Sequence, residues 1–309
     1  MKNVSTFLQR NGKSIPNMKI LPFKIPKPEQ EALVYQEDSG LLFYDKLHQH
    51  EEIQISYIVS GEGSIVVGDT ISDFKANDIL VIGENVPHVF RSDSKASSKS
   101  VMYTLFFTKE SFGKEFFTLS DMTRLQNFFE ESGYGMKILS ENERLSLLFE
   151  NLKNQSRIQR IATLLNILDI MISSDKQPLS TFVYRKKYTE DEGNRMNNVI
   201  DYALSNFHEP FSLEMVAEKA NMSKNAFCRY FKKRTNKTFF QFLIEIRIEH
   251  ACRLLFKDND LPISEVSEQC GFLNIANFNR KFKELKGVTP THYRKFTIEK
   301  WRDRYSKSA

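Results

Sequence analysis

Leu213-Glu-Met-Val-Ala-Glu-Lys-Ala-Asn-Met-Ser-Lys-Asn-Ala-Phe-Cys-Arg-Tyr-Phe-Lys232 and Ile263-Ser-Glu-Val-Ser-Glu-Gln-Cys-Gly-Phe-Leu-Asn-Ile-Ala-Asn-Phe-Asn-Arg-Lys-Phe-Lys283 are two versions of one segment, and their alignment decides the architecture. Val216 and Val266 stand 50 residues apart; one residue added in the turn makes the offset 51, so that Phe227, Arg229, Phe231 and Lys232 match Phe278, Arg280, Phe282 and Lys283. Duplication of a supersecondary unit is the simplest origin of such a match. In the first copy Leu213, Val216, Ala217 and Ala220 form an apolar stripe at helical spacing behind Ser212, a good N-cap. Asn221, and Gly271 in the second copy, supply the left-handed residue of a tight turn. A second helix follows, capped in the first copy by Ser223, with Phe227, Tyr230 and Phe231 expected inside; Phe278, Phe282 and Leu285 are their counterparts. The spacing predicts one helix-turn-helix over about 213–234 and another over 263–286.

The outward faces of the two second helices are then Asn225, Ala226, Cys228, Arg229, Lys232 and Lys233, and Ile275, Ala276, Asn277, Asn279, Arg280, Lys281 and Lys283; Lys224 opens the first of them. Such a helix in the major groove meets base edges with its early turns and phosphates with its flanks. Arg229 and Arg280 carry the donor fork that pairs with guanine, and Asn225, Asn277 or Asn279 the amide that pairs with adenine. Between the copies, Thr238 to about Phe256 has no helix breaker and reads as one helix, ~28 Å long at ~1.5 Å per residue. A strut of that length suits two probes entering successive major grooves.

Charge is distributed to match. From Gly193 onward there are 21 Lys and Arg against 13 Asp and Glu, a net +8, whereas the preceding part carries 23 against 26, a net −3. A polyanionic partner is expected for the repeated segment alone. The chain has 309 residues, 40% apolar and 27% charged, which suits two globular domains and excludes a fibre or a disordered chain. No apolar run approaches the ~20 residues of a membrane span, and the start, Met1-Lys-Asn-Val-Ser-Thr-Phe, lacks the apolar centre of a signal peptide, so a cytoplasmic protein is expected. Cys228, Cys252 and Cys270 show no CxxC spacing and predict neither disulfides nor a zinc finger.

The segment from about Arg195 to Phe296 resembles the DNA-binding domain of AraC/XylS-family transcription regulators. The resemblance rests on Ile263-Ser-Glu-Val-Ser-Glu-Gln-Cys-Gly-Phe, on Asn277-Phe-Asn-Arg-Lys-Phe-Lys and on Gly287-Val-Thr-Pro-Thr-His-Tyr-Arg294. It implies base contacts from Asn225, Cys228 and Arg229 and from Ile275, Ala276, Asn277, Asn279 and Arg280, with Lys224, Lys232, Lys233 and Lys283 at the DNA beside them. Cys228, Ile275 and Ala276 depart from the polar residues often found there; they read thymine methyls or make no base contact.

In the other half, four prolines (Pro16, Pro22, Pro26 and Pro28) suggest an extended arm over residues 1–35. Short apolar or alternating runs follow at Leu41–Tyr44, Ile53–Val59, Ser64–Val67, Ile79–Ile82, Val86–Phe90 and Val101–Phe107, the pattern of a sandwich or small barrel. Helical spacing then appears in Leu145, Leu148, Phe149 and Leu152 and in Ile158, Ile161, Leu164, Leu165, Leu168 and Ile172; the latter nears a heptad, to be buried by the chain's own barrel or by a second copy. Residues 175–192 lose this period and read as a linker. The expected fold is thus α+β in two domains: an N-terminal cupin-like, jelly-roll β-barrel with helices over 36–174, and an all-α domain with two helix-turn-helix motifs over 193–300.

His48-Gln-His50, then Gln54, with His88 after Pro87, resembles the two motifs of the cupin barrel. Imidazoles so spaced converge on zinc, iron or manganese in metal cupins, but Gln54 stands where those carry Glu, and a neutral amide binds a divalent cation less well. Family regulators with this barrel use it to bind a small molecule. The expectation is therefore an effector pocket with His48, His50, Gln54 and His88 as polar handles, with no metal, no cofactor and no catalysis; core histidines satisfied by backbone carbonyls are the alternative. The whole reads as a DNA-binding transcription regulator, an activator or a repressor. Its expected partners are promoter duplex, a small-molecule effector, RNA polymerase and a second copy docked through helices in 140–174. A metal-dependent cupin enzyme with a basic appendage is the rival.

Overall fold

A computed structural model describes residues 31–93, 99–183, 189–258 and 260–296, and contact clustering divides the chain into two units, 1–194 and 195–309. The expected arm falls largely outside the described residues. In the first unit the strands are β1 (Val34–Gly40), β2 (Ile53–Ser60), β3 (Gly63–Val67), β4 (Thr70–Phe74), β5 (Ile79–Ile82), β6 (His88–Ser92) and β7 (Ser100–Phe107). They are followed by α1 (Arg124–Ser132), β8 (Met136–Ile138), α2 (Asn142–Asn151), α3 (Arg157–Ser173) and β9 (Lys176–Pro178).

One sheet has the order β1-β7-β2-β5-β8-β9, the other β4-β3-β6, all pairings antiparallel. The predicted barrel is therefore a two-sheet sandwich that does not close. Ile58, Ile65, Val67, Leu80, Ile82 and Phe90 fill the space between the sheets, while Ile55, Val81, Leu105 and Phe107 face the other way, onto the helices. β2 is buried on both faces from Ile53 to Ile58, with the polar Gln54 and Ser56 on the side that faces the other sheet.

Two expectations need correction, and one alternative left open is decided. Leu41–Tyr44 is not a strand: β1 lies just before it, and Leu41, Leu42 and Tyr44 are exposed because the segment runs along the rim and only Phe43 turns in. Residues 175–192 are not one linker. Lys176–Pro178 pair with β8, Leu179 is buried, and Asp69 accepts hydrogen bonds from Ser180 Oγ, Thr181 N and Thr181 Oγ1, so local polarity here reflects anchoring to a buried carboxylate. The apolar stripe of α3, finally, is consumed within the chain: Leu164, Ile167, Leu168 and Met171 belong to the sheet's own core, which leaves Ile158 and, on α2, Leu147 exposed.

The second unit is helical: α4 (Glu190–Asn206, which begins in the first), α5 (Leu213–Lys219), α6 (Lys224–Thr235), α7 (Phe239–Lys257), α8 (Ile263–Gln269) and α9 (Ile275–Lys286). The caps are those the residue types dictate: Ser212 accepts from Met215 N, Ser223 from Ala226 N, Thr238 from Gln241 N. Asn221 at φ 53° and Gly271 at φ 77° form the left-handed turns, and Asn236 and Gly287, again 51 apart, end α6 and α9 in the same conformation. α7 packs against α6, α8 and α9, so a single continuous helix supports both motifs. Phe239 holds the first of them, its ring 5.8 Å from Phe227 and 5.6 Å from Phe231. Phe272, Phe278 and Phe282 build the second core with Ile248, Cys252 and Leu255.

Candidate DNA interface and sensor site

On α6, Phe227 and Phe231 are buried while Lys224, Asn225, Cys228, Arg229, Lys232 and Lys233 are exposed; Ala226 is half-buried. On α9, Phe278 and Phe282 are buried while Ile275, Ala276, Asn277, Asn279, Arg280 and Lys283 are exposed. Each copy thus presents the outward face read from its sequence, save that Lys281, expected outside, is half-buried. Tyr230 is only half-buried, and Leu285, expected inside, is 41% exposed: α9 ends at Lys286 one turn past Phe282, beyond the core that would cover it.

Sequence reasoning missed the carboxylates on these faces. Lys224 Nζ is 2.6 Å from Glu214 Oε1, a pairing that raises the lysine's pKa and lowers the glutamate's. On α9, Arg280 donates from Nη2 to Asn277 Oδ1 at 2.8 Å, and its Nη1 lies 3.6 Å from Glu284, whose carboxyl Lys281 holds below the usual range. The i, i+3 and i, i+4 spacings of Asn277, Arg280 and Glu284 were the available signal. Asn277 thereby orients the guanidinium one turn after the helix start.

In the first unit the four expected residues meet. His48 and His88 exchange both backbone hydrogen bonds, His48 N to His88 O at 3.0 Å and His88 N to His48 O at 2.8 Å, which joins the rim segment to β6. Gln54 and Ser56 alternate along β2 and point into the sandwich, where Ser56 Oγ lies 3.0 Å from Thr104 Oγ1 on β7. His50, Gln54 and His88 are buried, and His48 keeps partial exposure beside the edge of Tyr44, ring centres 5.1 Å apart. One ligating nitrogen from each histidine lies within 4.8 Å of the others.

Hydrogen bonding fixes the tautomers. Each Nδ1 faces a backbone carbonyl: His48 that of Lys46 at 2.9 Å, His50 that of Glu52 at 2.8 Å, His88 that of Val86 at 2.9 Å. A carbonyl only accepts, so Nδ1 carries the proton, and in a neutral ring Nε2 is then a lone pair. The rings are neutral: desolvation by burial takes His48 down to about 4, His88 well below the ordinary value and His50 in the same direction. Nε2 of His50 and Nε2 of His88 nevertheless each stand 3.1 Å from Gln54 Oε1, acceptor against acceptor. Two arrangements satisfy all of these atoms. With the amide turned over, its NH2 donates to both rings and Ser56 Oγ, 2.9 Å away, donates to its oxygen. Alternatively a divalent cation sits among the three Nε2 atoms and Oε1, a donor set that suits zinc, iron or manganese. Glu52 approaches His50 from the Nδ1 side, at 3.8 Å, and is no candidate ligand.

These shifts carry a pH dependence. The unfolded chain takes up protons near the ordinary histidine value of 6.5, whereas the folded sensor resists to about 4 at His48, so stability fully present above 6.5 is lost as pH falls through that window. Thermal unfolding followed from pH 7.5 to 5 in chelator should show a falling midpoint; a level one sinks the neutral-ring assignment.

Comparison with known proteins identifies both kinds of domain in this chain. A helix-turn-helix domain model matches residues 216–295 and a cupin domain model residues 44–103. The chain joins a cupin domain to an AraC-type helix-turn-helix domain. The uncharacterized HTH-type transcriptional regulator YdeC of Bacillus subtilis is 24% identical to it over 261 residues, 82% of this chain and 87% of YdeC. An uncharacterized HTH-type transcriptional regulator of Staphylococcus aureus is 23% identical over 269 residues, 86% of this chain and 34% of its own; the chain thus spans about a third of the length of the staphylococcal relatives. Among solved structures, the DNA-binding domain of AdpA in complex with a target DNA is 32% identical, matching 35% of this chain and 96% of that one with a TM-score of 0.33. ToxT of Vibrio cholerae is 11% identical, matching 86% of this chain and 98% of its own with a TM-score of 0.36. Among the described residues no helix is long and apolar enough to cross a membrane.

Proposed function

We propose that this AraC-type chain is a cytoplasmic transcription regulator that reads promoter DNA through α6 and α9 and is controlled by a small molecule held in its cupin sandwich. The observation that carries the reading is the repeated helix with buried phenylalanines behind and exposed cations in front, set twice on the one support of α7. Arg229 and Arg280 are the readers of guanine, Asn225, Asn277 and Asn279 of adenine, and Lys224, Lys232, Lys233 and Lys283 lie along phosphates. Arg280→Ala is expected to weaken binding to a selected duplex by about 1–3 kcal/mol and to relax preference at one base pair, whereas Lys232→Ala weakens all duplexes alike. Competition binding against random duplex checks this, and equal losses for Arg280→Ala on both would remove its assigned role.

The effector reaches His48, His50, Gln54 and His88 from the side of Tyr44, where His48 keeps its exposure. Regulation acts on a homodimer, to which Leu147 and Ile158, 61% and 81% exposed on α2 and α3, offer contact surface; RNA polymerase is the partner at the promoter. The barrel performs no chemistry in this reading.

A second reading is favoured by the acceptor contacts at Gln54: the four residues hold a divalent cation, as ligand to the effector or as the signal itself. Elemental analysis of the purified full chain decides. Stoichiometric metal that disappears in His50→Ala supports it, and turnover by the metal-loaded protein would favour the cupin-enzyme rival; metal-free protein with unchanged folding leaves the turned amide.

A further inference from the structure

The two reading helices do not present the same chemistry at their tips. On α6 the first exposed side chains are Lys224, paired to Glu214, and Asn225, both polar. On α9 the corresponding surface is apolar: Leu273 is 99% exposed, Ile275 45% exposed, and Ala276 is exposed beside them. Asn274 caps this helix from its own side chain, its Oδ1 accepting from Ala276 N at 2.7 Å and from Asn277 N at 3.2 Å. Those amides, which would otherwise grip a phosphate, are therefore taken, and Leu273, Ile275 and Ala276 present hydrocarbon around the capping Asn274.

A leucine held in full contact with water, in a turn fixed by Gly271 and buried Phe272, contributes nothing to the core around Phe278 and Phe282. What covers it is indicated by its surroundings. Arg280 and Lys283 follow along the same exposed face, Asn277 and Arg280 are hydrogen-bonded one turn behind the tip, and the surface is continuous with the reading helix. A cationic flank selects a polyanion, and the only apolar group that a duplex displays in its major groove is the thymine C5 methyl.

We infer that Leu273 and Ile275, with Ala276, form a thymine-methyl reader, so that the half-site met by α9 contains thymines at the tip and a purine read by Arg280 or Asn277 one step further on. The half-site met by α6 lacks this requirement. The inference rests on the DNA-binding reading above and deepens it.

Uracil tests it, because it keeps every hydrogen bond of thymine and removes only the methyl. A duplex selected from random sequence by the full chain is resynthesised with uracil for thymine, first throughout and then position by position. Each contacted methyl lost should weaken binding about four-fold, the value of burying one such group. The sensitive positions should fall in one half-site. Leu273→Ala/Ile275→Ala, altered only at exposed positions, should lose discrimination between thymine and uracil. Equal affinity of the parent for the two duplexes, or discrimination unchanged in the double variant, overturns the inference while the DNA-binding reading stands. Failure to select any sequence overturns that reading and the inference with it.

Discussion

Affinity for a selected duplex is expected to fall about a hundredfold between about 50 and 200 mM salt, the slope set by about four phosphate neutralisations. The estimate follows from the lysines exposed on the two reading faces: Lys224, Lys232 and Lys233 on α6 and Lys283 on α9. Each releases condensed counterions when it meets a phosphate, and at ~0.9 ion per contact the dependence is steep. The carboxylates temper it, since Lys224 must exchange Glu214 for the DNA and Arg280 stands near Glu284. Titration of labelled duplex at four or more salt concentrations gives the slope directly. A slope near zero would mean that these faces meet something other than a nucleic acid backbone.

Replacement of Gly271 by alanine should disable the second motif while its counterpart in the first tolerates change. Both turns are left-handed, at φ 77° for Gly271 and 53° for Asn221. That conformation alone costs a residue with a Cβ about 1–3 kcal/mol. At Gly271 a Cβ would in addition stand 2.7 Å from the carbonyl oxygen of His208 and 2.9 Å from its Cα, backbone atoms that cannot step aside. Arg247 fixes that stretch, donating from Nε to Phe207 O at 2.7 Å and from Nη2 to Glu209 O at 2.9 Å. Strain and clash together should take several kcal/mol from a domain whose whole stability is ~5–15 kcal/mol. Thermal unfolding should show the loss for Gly271→Ala, together with loss of DNA binding, whereas Asn221→Gly stays within about 1 kcal/mol of the parent. Equal stability of Gly271→Ala and the parent would remove the packing argument.

The contrast between these turns marks how far sequence reaches. That positions 221 and 271 need a left-handed residue was legible, because Asn and Gly are the residues that adopt it. Why one copy uses asparagine and the other only glycine was not, because the reason is the approach of the 207–209 backbone, remote in sequence. The sensor site divides in the same way. The spacing of His48, His50, Gln54 and His88 pointed to convergence, since alternate residues of a strand share a face. The carbonyls that fix all three tautomers lie only two residues from each histidine, at Lys46, Glu52 and Val86, but the opposition of lone pairs at Gln54 depends on β2 meeting β6 across the two sheets.

By itself the sequence determined the duplication, the caps, the period of each helix and the segregation of aromatics from cations, because these depend on residue type and on spacings within a few turns. Only the tertiary structure decided where an element's apolar surplus goes. It turned the stripe of α3 onto the chain's own sheet, drew 176–181 into the sandwich around Asp69, and left Leu273 in water at the tip of α9. Burial is a property of what arrives from elsewhere in the chain, and a side chain's neighbours along the backbone do not specify it.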